Sequence, residues 1–296
     1  MLNEINNRLE DIFKFLEDDL ELLENELKNR LLSITDNKID LHNVFKYFFD
    51  IRGKRLRPIL VLLSAGLVRK ESSDLIQGNV IKAATVMELI HNSSLIHDDI
   101  IDESSHRRGQ ATLNHKFNNK IAVLAGDLLY SHAFLIMNKL NFSQVSGILS
   151  GCVEKMCRSE IKEIISPYSD FTEYIGLCDA KTADLMSACC KCGALISNAK
   201  KDEVTALGNF GTNFGIAYQL TDDFLDDEQP KSFDINLLLQ AKIYGEKAKK
   251  NLAEFADNEY KKHLLNLVQY VTEKAESVKL EKDFNNEQNK QKELSS

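Results

Sequence analysis

Tryptophan is absent from this sequence, and only 3 prolines and 13 glycines interrupt its 296 residues. A β-rich chain of this length needs many more turn-forming residues, so the scarcity of breakers predicts long helices. The start, "MLNEINNRLE", lacks a basic stretch followed by an apolar one, so no secretory signal is expected. The longest apolar run, around Pro58 to Val68, falls short of the roughly 20 residues that cross a bilayer, so no transmembrane segment is expected either. Positive charge is also scarce. With 37 Lys and Arg against 45 Asp and Glu, the net charge of −8 disfavours a general nucleic-acid binder and leaves room only for a local basic site. A composition that is 43% hydrophobic and 28% charged is that of a globular protein, and a cytoplasmic location is the expectation.

The six cysteines all lie between Cys152 and Cys192, three of them in "CCKC". Tetrahedral zinc usually draws on two separated pairs or on nearby histidines. Cys189, Cys190 and Cys192 would point in different directions from one helix, with no His close in sequence. Reduced packing cysteines are therefore expected.

Apolar residues recurring at three- and four-residue steps predict helices over Ile12 to Leu32, Lys82 to Glu103, Val123 to Leu140, Ala180 to Asn198 and Val204 to Asp227. Pro58 suits the first turn of a helix through "PILVLLSAGLV", and Pro230 marks a stop after "DDEQP". Two further helices are expected near Ile235 to Phe255 and Tyr260 to Glu276. The stretch 277–296 is polar and poor in large apolar residues, which predicts a disordered tail behind one all-α domain spanning 1–276.

Two acidic clusters break the pattern. "SLIHDDIIDE" sets Asp98, Asp99 and Asp102 at the end of an apolar helix, and "YQLTDDFLDDE" repeats the spacing with Asp222, Asp223 and Asp226. Residues four apart share a helix face, so each triplet gathers carboxylates that repel one another and lose solvation. A solvated acidic helix end would explain either triplet alone. Two copies, each after an apolar stretch, favour a metal–diphosphate site between two facing helices, because Mg²⁺ is usually held by a few carboxylates plus substrate phosphates. Cations accompany them: Arg52, Lys54, Arg55 and Arg57 in "RGKRLRP", and Arg107 with Arg108 beyond the first triplet. Guanidinium forks match phosphate oxygens, and Lys adds a point charge. His91, two helical turns before Asp98, could donate to a phosphate oxygen or serve as a core histidine bonded to a backbone carbonyl.

These segments resemble the trans-isoprenyl diphosphate synthases, or polyprenyl synthetases. "GKRLRP", "LIHDDIIDESSHRRGQAT", "AVLAGDLLYSHAF", "AKTADLMSACCKCGAL" and "GIAYQLTDDFLDD" are similar to that family's motifs and follow its order from about Arg52 to Asp227. The resemblance implies a homodimer of all-α subunits, each a helical bundle around a central cavity, acting on isopentenyl diphosphate and an allylic prenyl diphosphate. By motif position, Lys54, Arg57, His91 and Arg108 would bind isopentenyl diphosphate. The six aspartates would hold Mg²⁺ on the allylic diphosphate. Arg107, Lys181, Thr182 and Gln219 would contact the allylic substrate or its developing cation. The chemistry implied is ionisation of the allylic C–O bond, attack by the isopentenyl double bond, and proton loss. Contact with a membrane surface would be transient, at product release.

In that family, residues about one turn before the first acidic motif line the hydrocarbon tunnel. Here they are Ser93 and Ser94, with Ser93 roughly 7.5 Å along the helix axis from Asp98. Small side chains there leave the tunnel open, which resembles bacterial long-chain, octaprenyl-type members that supply quinone side chains; a floor deeper in the tunnel, such as Phe134, would give a medium-length product instead. The resemblance ends after the second triplet. The family's Gly-Lys pair is missing from "DDEQPKSFDINLLLQAKIYGEKAKK", with Lys231 a candidate substitute, so a shortened C-terminal part is expected. Ser159-Glu160, Glu163 and Asn118 also depart from the family's usual Gly-Glu, Gln and Gly. Two alternatives therefore stand beside a working synthase: an impaired homologue that binds prenyl diphosphates or partners an active subunit, and, more weakly, a class I terpene cyclase.

Overall fold

The structure is a computed structural model that describes residues 2–35, 39–50, 53–70, 73–140, 142–226 and 235–294. Arg52, Asp227, Pro230 and Lys231 lie outside the described residues. Contacts within the chain gather into two compact units, where the sequence reads as one domain: Met1–Phe15, Ser150–Lys191 and Lys200–Ser296 in the first, Leu16–Leu149 and Cys192–Ala199 in the second.

In chain order the helices are α1 (Leu2–Phe15), α2 (Glu17–Thr35), α3 (Ile39–Phe49), α4 (Leu56–Val68) and α5 (Asp74–Ile101). A two-stranded hairpin follows, β1 (His106–Arg107) and β2 (Gln110–Ala111), before α6 (Leu113–Lys116), α7 (Asn119–Lys139), α8 (Ser143–Ile165) and α9 (Phe171–Cys178). A five-residue π-helix, Asp179–Ala183, leads into α10 (Asp184–Ile196), and α11 (Lys201–Leu225), α12 (Leu237–Asn251) and α13 (Glu259–Leu294) complete the order. The all-α expectation holds. Local chemistry sets several starts: Ser73 Oγ accepts the Ile76 N–H at 3.2 Å for α5, and Asp170 Oδ1 accepts the Glu173 N–H at 2.9 Å for α9. Asn118 does the same for α7, accepting from Ile121 N–H at 3.0 Å, which gives this departure from the family's glycine a local use.

In the second unit α5 packs against α2, α4, α6 and α7, and its buried positions encircle it. α4 is buried along nearly its whole length, as its unbroken apolar run requires. α7 is long and apolar enough by length and composition to cross a membrane, although Asp127 and polar residues break its apolar run, so that the sequence alone predicts no such segment. One face of α7, including Ala122, Gly126, Leu129 and Ala133, packs on α5, while Val123, Leu124 and Leu135 stay exposed.

In the first unit α11 packs against α9, the π-helix, α12 and α13, and α1 lies along α13. Tyr174, Cys178, Ala183, Ile216, Leu220, Leu237 and Ala241 form one buried cluster, with Tyr168, Phe171, Phe224 and Tyr244 against it. α12 therefore covers the back of α11 beside the second triplet, just where the sequence departs from the family's motifs. α13 continues through 277–294, where disorder was expected. No glycine or proline occurs after residue 259, and Glu, Lys, Gln and Leu are good helix formers, so helical propensity offsets the lack of apolar residues there. Five of the six cysteines are buried and all six are thiols outside any disulfide. That is the packing role expected of them.

Candidate functional site

The last turn of α5 carries the first triplet, and its members diverge. Asp102 caps the helix, its N–H bonding to Asp98 O at 2.8 Å, and is exposed; Asp98 is half-buried. Asp99 turns inward, 3% exposed, and accepts from Arg107 Nε at 2.7 Å. Burial raises the Asp99 pKa, Arg107 lowers it, and Asp102 raises it again, leaving it above the ordinary carboxylate value. Asn114 Nδ2 holds the Asp99 and Ser104 carbonyls at 3.2 Å each, tying the triplet to the hairpin beyond it.

That hairpin pairs His106 with Ala111 and Arg107 with Gln110, leaving Arg108 and Gly109 as a two-residue turn. Both turn residues have positive φ, 51° and 79°, as a type I′ turn requires. Arginine there costs about 1–2 kcal/mol relative to the usual α region, a cost the local sequence would ordinarily avoid with Asn or Gly. The result is an Arg108 guanidinium lying over Gly53, with Nη1 2.8 Å from where a Cβ would sit. Arg55 also has a left-handed backbone, φ 52°, at the start of α4.

The basic loop divides its labour. Arg55, 8% exposed, is clamped by Glu24 at 2.8 Å and Glu88 at 2.7 Å, so it is a structural cation. Burial lowers its pKa, but the two glutamates raise it further. Arg57 Nη1 lies 3.0 Å from His91 Nε2, while its Nε is buried with no partner. Arginine only donates, so His91 Nε2 accepts, the imidazole is neutral, and its Nδ1–H is the remaining donor. Burial first, then Arg57, Arg108, Arg107 and Arg55, hold His91 well below the usual imidazole range. Lys54 is exposed on the loop. Thus Arg57, His91 and Arg108 share one cationic neighbourhood, although Arg57 stands 34 residues before His91 in sequence.

Ser93 and Ser94 part company as well. Ser93 is fully buried, its hydroxyl donating to Gly126 O of α7 at 2.7 Å, on the face where His97 Nε2 lies 3.2 Å from Val123 O. Ser94 donates to His91 O at 2.9 Å and stands four residues before Asp98, on the face that carries the site.

The second triplet repeats the first in outline. Asp226 caps α11, its N–H bonding to Asp222 O at 2.9 Å; Asp226 is exposed and Asp222 half-buried. Asp223, 9% exposed, turns inward, where its Oδ1 accepts from Gln219 Nε2 at 2.7 Å and its Oδ2 accepts from the Tyr174 hydroxyl. Thr182 Oγ1 donates to Gln219 Oε1 at 2.6 Å. Burial, Cys178 and Asp223 raise the Tyr174 phenol well above its ordinary value, and burial pushes the Cys178 thiol up to about 12. The π-helix splits its two functional residues. Thr182 faces α11, while Lys181 reaches Glu160 and Glu163 on α8, both at 2.7 Å. Burial opposes the Lys181 charge, but the two glutamates outweigh it and keep the ammonium charged. Lys155 braces the same π-helix through Asp179 at 2.7 Å and Asp184 at 3.2 Å. Motif reading did not single out Tyr174; Glu160 and Glu163, noted only as departures, are the partners of Lys181.

Among the described residues no three His, Cys, Asp or Glu side chains form a metal cage. Asp98 with Asp102, and Asp222 with Asp226, instead offer pairs of hard oxygens one turn apart, a donor set that fits Mg²⁺ completed by phosphate oxygens.

The chain matches the family described as Polyprenyl synthetase over residues 39–233. It belongs to that family. Decaprenyl-diphosphate synthase of Dictyostelium discoideum is 31% identical over 260 residues, 80% of this chain and 56% of that protein. Heptaprenyl diphosphate synthase component 2 of Geobacillus stearothermophilus is 34% identical over 222 residues, 74% of this chain and 67% of that protein. The chain thus spans little more than half of the first relative's length. Among solved structures, a decaprenyl diphosphate synthase from Rhodobacter capsulatus superimposes with a TM-score of 0.81 at 25% identity, covering 90% of this chain and 99% of that one. Family membership agrees with the all-α fold.

Proposed function

We propose that this polyprenyl synthetase condenses isopentenyl diphosphate with an allylic prenyl diphosphate to build a long-chain all-trans polyprenyl diphosphate. The observation that carries the reading is the cationic neighbourhood of Arg57, neutral His91 and Arg108 beside an acidic pair, Asp98 and Asp102, at one end of α5. The buried, unpaired Arg57 Nε is a donor that a phosphate oxygen would complete. Lys54, Arg57, Arg108 and the His91 Nδ1–H bind the isopentenyl diphosphate. Asp98 with Asp102, and Asp222 with Asp226, would each offer carboxylate oxygens to magnesium carried by a diphosphate, with Asp99 and Asp223 set behind them and Arg107 steadying Asp99. Magnesium held there would supply neutralisation of charge on a departing pyrophosphate. The Thr182 and Gln219 dipoles orient and stabilise the allylic end, and Lys181 holds the π-helix that presents Thr182. Positioning, fixed charge and exclusion of water are then the protein's contribution.

Ser94, on the site face of α5, leaves room for a long tail, whereas Ser93 is committed to the contact with α7. The product fits a quinone side-chain precursor made in the cytoplasm, and the exposed Val123, Leu124 and Leu135 on α7 suit self-association into a homodimer. One relative is named as component 2 of a synthase, which favours a second reading: this chain partners another subunit and is inactive alone. Purified protein with Mg²⁺, farnesyl diphosphate and labelled isopentenyl diphosphate, with products sized by chromatography, tests both. Long polyprenols support the synthase. Diphosphate binding without incorporation overturns it in favour of the partner reading.

A further inference from the structure

α9 contributes a side chain to the second acidic site through a continuous hydrogen-bonded chain. Tyr174, 4% exposed, donates to Asp223 Oδ2, Gln219 Nε2 donates to Asp223 Oδ1 at 2.7 Å, and Thr182 Oγ1 donates to Gln219 Oε1 at 2.6 Å. The polarity of this chain is fully determined. A carboxylate only accepts, so both its neighbours donate, and the amide oxygen is left to accept from the threonine. The opposite amide orientation would set Gln219 Oε1 against an Asp223 oxygen. Packing fixes the geometry at both ends. The Tyr174 ring lies 5.2 Å from Tyr168 and 6.0 Å from Phe171, inside the buried cluster of its unit. Gly215, one turn before Gln219, brings α11 so close to the π-helix that a Cβ there would lie 2.4 Å from Ala183 Cα.

We propose that Tyr174 is a positioning residue, anchoring Asp223 and through it fixing the orientation of the Gln219 amide at the allylic site. The proposal deepens the prenyltransferase reading and rests on it for the identity of the substrate. Tyr174 touches no reacting atom; its hydroxyl is needed, its ring alone is not enough.

Two measurements test it, one with turnover and one without. In a double-mutant cycle, Tyr174→Phe lowers kcat about tenfold, the usual cost of losing a hydrogen bond behind a directly acting group, with KM for isopentenyl diphosphate unchanged. In a Gln219→Ala background the same change lowers kcat no further, because the residue through which it acts is gone. Equal losses in both backgrounds overturn the proposal in favour of a purely structural tyrosine. Independently of activity, ¹⁵N-glutamine labelling reports the Gln219 side-chain amide, assigned by its loss in Gln219→Ala. Tyr174→Phe shifts that resonance and speeds its exchange with water. An unchanged resonance overturns the proposal, even for a chain that turns over no prenyl substrate, a result that would defeat the prenyltransferase reading alone.

Discussion

The two acidic triplets are near-copies in sequence and differ in how the protein holds them. In both, the first and third acids lie one turn apart at a helix C-terminus, and the middle acid is buried. Carboxylates at that end oppose the helix dipole at about 0.3–1 kcal/mol each, so neither triplet serves helix stability. Asp99 is answered by a cation, Arg107, whereas Asp223 is answered by the neutral donors Tyr174 and Gln219. One charge of the α5 triplet is thus offset by a protein cation, while the middle acid of the α11 triplet is held by two neutral donors. The site on α11 should consequently depend more on an added cation.

That contrast can be broken most sharply at the outer acids. Asp98→Ala and Asp222→Ala should each lower kcat/KM by about 10³-fold, some 4 kcal/mol of lost charge stabilisation. If added Mg²⁺ restores more activity to Asp98→Ala than to Asp222→Ala, the contrast stands; equal recovery removes it. The cations near α5 give the next largest effect. Arg55→Ala leaves Glu88 buried without its partner and should cost about 3–5 kcal/mol in urea denaturation, whereas Arg57→Ala should chiefly weaken isopentenyl diphosphate binding. At the middle acids, Asp99→Asn and Asp223→Asn should cost about tenfold in kcat, far less than their neighbours. A loss as large as that of Asp222→Ala would make Asp223 a metal ligand after all. Along α5, Ser94→Phe should shorten the product, read by chromatography, while Ser93→Phe should overpack the α5–α7 contact and lower stability by about 1–3 kcal/mol.

The smallest effect concerns pH and only the α5 site, which alone contains a histidine. The folded-state pKa of His91 lies below its unfolded value of 6.5. The unfolded chain therefore takes up the proton first, and stability present above pH 6.5 is lost as pH falls toward the lowered value. His132 and His263 are lowered too and act in the same direction. His91→Gln should reduce, and not abolish, the fall in denaturation midpoint between pH 7 and pH 5.

Much of this protein was legible in the sequence because helices report themselves by period. The spacing of Asp98 with Asp102, and of Asp222 with Asp226, decides that each pair shares a face, and the scarcity of glycine and proline decides an all-α chain. Boundaries were less legible: Ile12 to Leu32 covers parts of two helices, and α3, α8 and α9 lack a period strong enough to announce them. Position around an axis does not say which face another element covers. Only tertiary packing turned Asp99 and Asp223 inward, gave Arg55 to Glu24 and Glu88, and pointed Ser93 at α7. Tyr174 and Asp223 stand 49 residues apart, and Lys181 is 18 from Glu163. No local rule links such pairs, because their bonds exist only once α8, α9 and α11 have packed.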